Sequence, residues 1–253
     1  MKLTVNQVDV QIKKQQIVQN ASLHVKKKQF VGIIGANGSG KSTLLKSIYK
    51  SIAPSAGSVH LDDLDVLKAS NKKVSQHLGV VGQFNEMSFD LTVEQMVFLG
   101  CTPHKKLMEN DSEADYEKVY AALEKTNLLD YRKRSYLSLS GGEKQRVILA
   151  RTIAQEPKVM ILDEPINHLD IRYQLEILTI VKEIDITVLM VLHDLEMTNQ
   201  YCDYIYAMKE GEIIAQGTPQ EVLTEELIQT IYQVNCKVYQ NPITNKLGFV
   251  YYL

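Results

Sequence analysis

The sequence predicts an α/β protein built on a mainly parallel sheet. Two observations carry that prediction: short apolar runs alternate with helical patterns, and the first run ends in a glycine-rich loop that opens a helix. In chain order, residues 3–12 alternate (Leu3, Val5, then Val8, Val10, Ile12), as half-buried strands do. Phe30 to Ile34 is a short apolar run leading into the loop, and a helix is expected from Lys41. Between about 85 and 145 the segments become charged and amphipathic. Asp115 to Lys125 carries Tyr116, Val119, Tyr120 and Leu123 at helical spacing, so this stretch reads as a helical insertion. Val159 to Leu162 and Ile186 to Leu192 are further buried-strand candidates. Thr218-Pro219-Gln220-Glu221 combines a cap, a first-turn proline and a reciprocal glutamate, the marks of a helix start.

Composition narrows the class. The chain has 253 residues, 45% hydrophobic and 23% charged, with 28 basic against 30 acidic residues. These are the averages of globular proteins and exclude disordered, collagen-like and coiled-coil classes. The strongest apolar stretch, Ile186 to Leu192, falls far short of the ~20 residues of a membrane span, and the start lacks the apolar block of a signal peptide. The slightly acidic balance argues against a nucleic-acid binder. Lys26, Lys27 and Lys28 are expected at a solvated hairpin tip, with contact to anionic lipid as the second reading. Cys101, Cys202 and Cys236 form no CxxC pair, which fits a reducing cytosol.

Gly35-Ala36-Asn37-Gly38-Ser39-Gly40-Lys41-Ser42-Thr43 fits GxxxxGK[ST], after a strand candidate and before a helix. Backbone N–H groups of such a loop cradle phosphates at the positive end of the helix. Lys41 would reach the outer phosphates and Ser42 would offer its hydroxyl to Mg²⁺. A coincidental match is expected in roughly one chain of this length per hundred, and the strand and helix context lowers that further.

Two acids, Asp163 and Glu164, end the candidate strand at Val159. Buried charge is costly there and needs a reason. Asp163 would hold Mg²⁺ and Glu164 could orient or deprotonate an attacking water; the plain alternative is a solvated pair opening a loop before Pro165. His193 ends another apolar strand. A lone histidine is more often structural, but at the same sheet edge it becomes a candidate contact to the γ-phosphate. Gln83, after Val80-Val81-Gly82, is a weak signal by itself.

Ser140-Gly141-Gly142-Glu143 reads locally as a capping box opening a helix. Two glycines in a first turn are poor helix formers, and what they permit is close approach of an anion to bare N–H groups.

With these motifs together, the sequence resembles the ATP-binding subunits of ABC transporters over essentially its whole length. The resemblance implies a P-loop NTPase (RecA-like) core with a mainly parallel sheet, about residues 1–84 and 146–253. It also implies an N-terminal antiparallel β subdomain and an inserted α-helical subdomain, about 85–145. It implies ATP and Mg²⁺ as cofactors, with Ser42, Gln83 and Asp163 about the metal and Glu164, His193 and Gln83 serving catalysis. Ser140, Gly141, Gly142 and Glu143 would face the ATP of an opposite subunit in a head-to-tail dimer, and Asp170 would contact that subunit. Expected partners are a second copy, a membrane permease and, indirectly, a substrate-binding protein, without nucleic acid. The expected location is the cytoplasmic face of the cell membrane. Leu99-Gly-Cys-Thr-Pro-His-Lys105, Asp163-Glu-Pro-Ile-Asn-His-Leu-Asp170 and Gly217-Thr-Pro-Gln-Glu-Val-Leu223 are similar to importers of iron chelates, haem and cobalamin. Two positions depart from the family: Ile166 stands where threonine is usual, and Ile12 where an aromatic ring would stack on adenine. No Phe, Tyr or Trp occurs in residues 1–29. Besides an ABC ATPase of another metal or small-solute importer, two other functions compete. A non-transport ABC ATPase would typically carry long heptad insertions or tandem cassettes, and a small-molecule kinase would need an acceptor site in place of the Ser-Gly-Gly helix start.

Overall fold

The structure, a computed structural model, describes residues 2–82, 90–106 and 109–253. The chain divides into two compact units. The first comprises Met1–Ala69, Leu162–Glu164 and Ile186–Leu253, the second Ser70–Ile161 and Pro165–Asp185.

The first unit holds an antiparallel sheet with strands in the order Gln15–Val25, Leu3–Ile12, Ala56–Leu61, Leu64–Asp65. The apolar alternation of the first strand changes phase between Val5 and Val8, yet all four of Leu3, Val5, Val8 and Val10 are fully buried. A bulge makes this possible: the register shifts between Val5 and Val8, and Gln7 takes up the extra residue at φ 48. A second sheet runs Glu212–Gly217, Tyr204–Lys209, Phe30–Ile34, Thr187–Val191, followed by the end of the strand Val159–Asp163. Phe30–Ile34 pairs in parallel with both of its neighbours. Every residue of Phe30–Ile34 and Thr187–Val191 is buried, which is why these strands read as unbroken apolar runs without alternation.

Thr218 opens its helix as expected, its amide donating to Glu221 Oε2 at 2.7 Å. The lysine triplet is exposed, as expected, but it is not a hairpin tip. Lys26, Lys27 and Lys28 form the turn that carries the chain from the antiparallel sheet to Phe30–Ile34 in the parallel one. A two-stranded sheet of Asn235–Gln240 and Leu247–Tyr252, not anticipated from the sequence, closes the chain.

In the second unit the strand Leu78–Val81 lies beside Val159–Ile161, and the rest is helical. Three of its helices, Val93–Phe98, Glu113–Lys125 and Gly141–Ala154, begin with reciprocal capping boxes at Thr92, Ser112 and Ser140. The expected amphipathic helix is present as Glu113–Lys125. Val119 and Leu123 are buried, whereas Tyr116 and Tyr120 keep 41% and 38% of their surface exposed. Tyr116 sets its ring edge-on to Phe98, 4.7 Å between centroids.

Ser112 donates to Asp115 Oδ2 through its amide at 2.8 Å and its hydroxyl at 2.7 Å, and Lys105 Nζ lies 3.2 Å away. These contacts, the Ser112 amide foremost, hold the Asp115 carboxyl down to about 2. A carboxyl depressed on folding stabilises above the unfolded value of about 4 and loses that effect as pH falls through its folded value. Asp115→Asn should therefore lower the urea midpoint at pH 7, with the gap to the parent narrowing as pH falls from about 4 towards 2. Ser112→Ala should cost about 1 kcal/mol of stability at pH 7 in the same measurement.

Candidate nucleotide site

The glycine-rich loop leaves the buried strand Phe30–Ile34 and enters the helix Lys41–Ile48, the context the motif requires. Its path needs glycine for two reasons. Gly35, Gly38 and Gly40 have φ of 154, 81 and 99, outside the range of ordinary side chains. A Cβ at Gly35 would also stand 2.3 Å from the Met208 carbonyl, and one at Gly40 2.8 Å from that of Ile17.

Lys41 is only 4% exposed. Its ammonium turns back on the loop and donates to the carbonyls of Gly35 and Ala36, both at 2.8 Å. Burial lowers its pKa, and the charges of Glu164 and Asp163 oppose that shift. The Ser39 hydroxyl is buried without a hydrogen-bond partner. A cation and an unsatisfied donor at the start of a helix suit a phosphate group.

The acid pair reaches the same place. Asp163 is 3% exposed and accepts from the Ser42 hydroxyl at 2.8 Å. Burial pushes its carboxyl above the ordinary range, the Ser42 bond draws it down, and neighbouring Glu164 pushes it up again. A hydroxyl and a carboxylate are hard oxygen donors of the kind that bind Mg²⁺, which takes its other ligands from water and phosphate. The described residues contain no cluster of three or more His, Cys, Asp or Glu that could hold a metal ion.

Glu164 adopts the left-handed region at φ 53, a conformation that costs of order 1 kcal/mol or more in a residue with a side chain and gathers at functional sites. Its Oε1 lies 2.6 Å from His193 Nε2. With the glutamate ionised, the imidazole N–H donates and fixes the carboxylate's orientation. The sequence placed both residues at one sheet edge without pairing them.

The first unit therefore gathers the loop 35–43, Asp163, Glu164 and His193. Ser140 to Glu143 and Asp170 belong to the second unit, and Gln83 lies outside the described residues. In the second unit Ser140 caps the helix Gly141–Ala154, its amide donating to Glu143 Oε2 at 2.8 Å. The two glycines there differ. Nothing comes nearer to a Cβ at Gly141 than Leu169 Cδ2 at 4.0 Å, whereas one at Gly142 would meet the Tyr173 ring at 2.5 Å. Open approach suits the first; packing also dictates the second. Asp170 is exposed at the start of the helix Ile171–Glu183 and caps it without a side-chain bond. Ile166 is buried, and Ile12 is 39% exposed at the end of its strand.

Sequence reasoning missed Tyr232. It lines a cavity of about 510 Å³ with His193, Asp194, Glu196 and Tyr251. Burial pushes its hydroxyl up to about 12, opposed by the Gly35 amide. No local pattern marks this residue, since its partners lie far from it in sequence.

A carboxyl raised on folding makes its ionised form a cost to the empty protein, absent at low pH and growing as pH rises through the folded value. Asp163→Asn should thus raise the thermal midpoint of nucleotide-free protein at neutral pH, with the advantage shrinking on acidification. An unchanged midpoint at neutral pH would contradict the desolvation argument.

Comparison with known proteins agrees with this geometry. The sequence profile of the ABC transporter family matches residues 18–167. The probable siderophore transport system ATP-binding protein YusV of Bacillus subtilis (strain 168) is 38% identical over 231 residues, 90% of this chain and 84% of that protein. The ferric enterobactin transport ATP-binding protein FepC of Escherichia coli (strain K12) is 35% identical over 231 residues, 90% of this chain and 85% of that one. Among solved structures, the dimeric bacterial ABC transporter cassette MJ0796 superposes with a TM-score of 0.74 at 26% identity, covering 86% of this chain and 98% of that one. A glycine-rich phosphate loop, a strand-end acid pair and a family match across more than half the chain lead to one conclusion: the chain belongs to the ABC transporter family, as an ATP-binding, ATP-hydrolysing subunit.

Proposed function

We propose that this ATPase energises a membrane permease importing an iron chelate, haem or cobalamin, and that it works as a head-to-tail dimer at the cytoplasmic face of the membrane. The observation that carries the hydrolytic part is the pairing of Glu164 with His193 beside the Ser42–Asp163 bond. The cargo class is supported by likeness to YusV and FepC, named for siderophore and ferric enterobactin transport. The dimer is supported by likeness to a dimeric cassette.

In this reading the Lys41 ammonium exchanges the Gly35 and Ala36 carbonyls for the outer phosphates of ATP. Ser42 and Asp163 hold Mg²⁺, with Gln83 as a further ligand. When bound, the ion neutralises charge on the phosphate oxygens. His193 keeps the Glu164 carboxylate aimed at a water. Glu164 takes the water's proton as its oxygen bonds to the terminal phosphorus and the bond to the bridging oxygen breaks. Gly141 of the second copy supplies a helix-end N–H group and Ser140 its hydroxyl to the same phosphates, and Asp170 meets that copy.

No helix among the described residues is long and apolar enough to cross a membrane; in this reading a separate permease carries the cargo. We assign docking to the helical subdomain, about residues 85–145. In its support, the second unit holds a groove of about 740 Å³ lined by Lys72, Phe98, Leu99, Pro103, Lys105 and Glu109, which draws on the Leu99 to Lys105 run. A substrate-binding protein would act indirectly, through the permease.

Glu164→Gln should slow ATP hydrolysis by about 10²–10⁴-fold while leaving ATP binding intact, and hydrolysis at the parent rate would refute the assignment. Lys41→Ala should lose nucleotide binding in a direct titration. For the cargo, the isolated membrane complex should show ATPase stimulation by a binding protein loaded with an iron chelate, haem or cobalamin. Silence to all three would overturn the cargo class.

A further inference from the structure

The first turn of the helix Ile171–Glu183 bears on two segments at once. On one side the Tyr173 ring lies against the start of the helix Gly141–Ala154. A Cβ at Gly142 would stand 2.5 Å from Tyr173 Cγ and 2.7 Å from both Cδ atoms, closer than packed carbons come. One turn further along that helix, Arg146 lays its guanidinium over the same ring, 5.7 Å from the centroid, and lies 4.0 Å from Glu176. On the other side Gln174 donates to the carbonyls of Leu169 at 2.9 Å and Ile166 at 3.4 Å, so the same turn braces the loop that ends at Asp170.

A half-buried tyrosine on an amphipathic helix is ordinarily just core. Here the ring fills the space that Gly142 leaves empty, and the turn that carries it, through Tyr173 and Gln174, touches both segments that the catalytic reading directs at a second copy. We propose that Tyr173 is a positioning residue for the Ser140–Glu143 segment. Its ring, clamped by Arg146, sets where the first turn of the helix stands, and Gly142 is glycine because that ring occupies the place of a side chain. The consequence for catalysis rests on the head-to-tail reading above, since a shift of about 1 Å in groups that orient a reacting phosphate costs about 10²-fold in rate.

The test compares Tyr173→Leu, Tyr173→Phe and Gly142→Ala with the parent. Hydrogen exchange is followed at the amides of Lys144 to Arg146, nucleotide affinity is measured on dilute protein with a fluorescent ATP analogue, and ATPase kcat is recorded. ATP-driven self-association is followed by sedimentation with Glu164→Gln added to slow turnover. Tyr173→Leu should speed exchange at those amides alone, lower kcat about 10²-fold and weaken self-association, with nucleotide affinity unchanged. Tyr173→Phe keeps the ring and should match the parent throughout. Gly142→Ala pushes on the same contact from the other side and should reproduce the Tyr173→Leu pattern, deciding the matter if Tyr173→Leu fails to fold. Parent-like exchange in Gly142→Ala or Tyr173→Leu, or faster exchange spread across the whole unit, would overturn the proposal. If Glu164→Gln with Tyr173 intact does not associate with ATP, the dimer reading fails, and the exchange data still decide on Tyr173.

Discussion

The cost of burying charge organises the site. Lys41 and Asp163 are both nearly inaccessible to solvent, and each shifts its pKa towards the neutral form because of it. An isolated ion in such a place would be intolerable. Each is instead held by short polar contacts: the lysine by two carbonyls of its own loop, the aspartate by Ser42 from the helix that the loop opens. The loop's tight path, its three left-handed glycines and the apolar strands beneath it exist to bring those groups to one point. A nucleotide phosphate with its cation would complete what these contacts only partly balance, which gives the fold a reason to bind both.

Strain and contact are distributed with the same economy. Glu164 accepts an unfavourable backbone conformation, and its side chain is then held by His193 from the end of another strand. Pre-orientation of this kind supplies rate because the carboxylate need not be reorganised when water attacks. In the second unit the two glycines that open the helix Gly141–Ala154 divide the work: Gly141 is left open, whereas Gly142 gives way to the Tyr173 ring.

Much of this could be read directly from the chain. Apolar runs without alternation gave away the buried parallel strands Phe30–Ile34, Val159–Asp163 and Thr187–Val191, because burial on both faces removes the polar half of the pattern. Capping boxes at Ser140 and Thr218 were legible because the bonds they make span only three residues. The closing hairpin Asn235–Gln240 and Leu247–Tyr252 was not, since its short strands lack a clear alternation. The lysine triplet was misplaced because a turn between two sheets and a hairpin tip have the same local composition.

Sequence alone determined the fold class and the residue types of the phosphate loop and acid pair, since spacing along a strand or a helix turn encodes them, and its motifs carried the resemblance to the family. Only the tertiary structure decided which of those residues meet. The Glu164–His193 bond, the Ser42–Asp163 bond and Tyr173 at Gly142 each join segments separated by strands and helices. Such contacts depend on where the sheet and the helices packed on it carry the chain, a matter of close packing across the whole unit that no local pattern records.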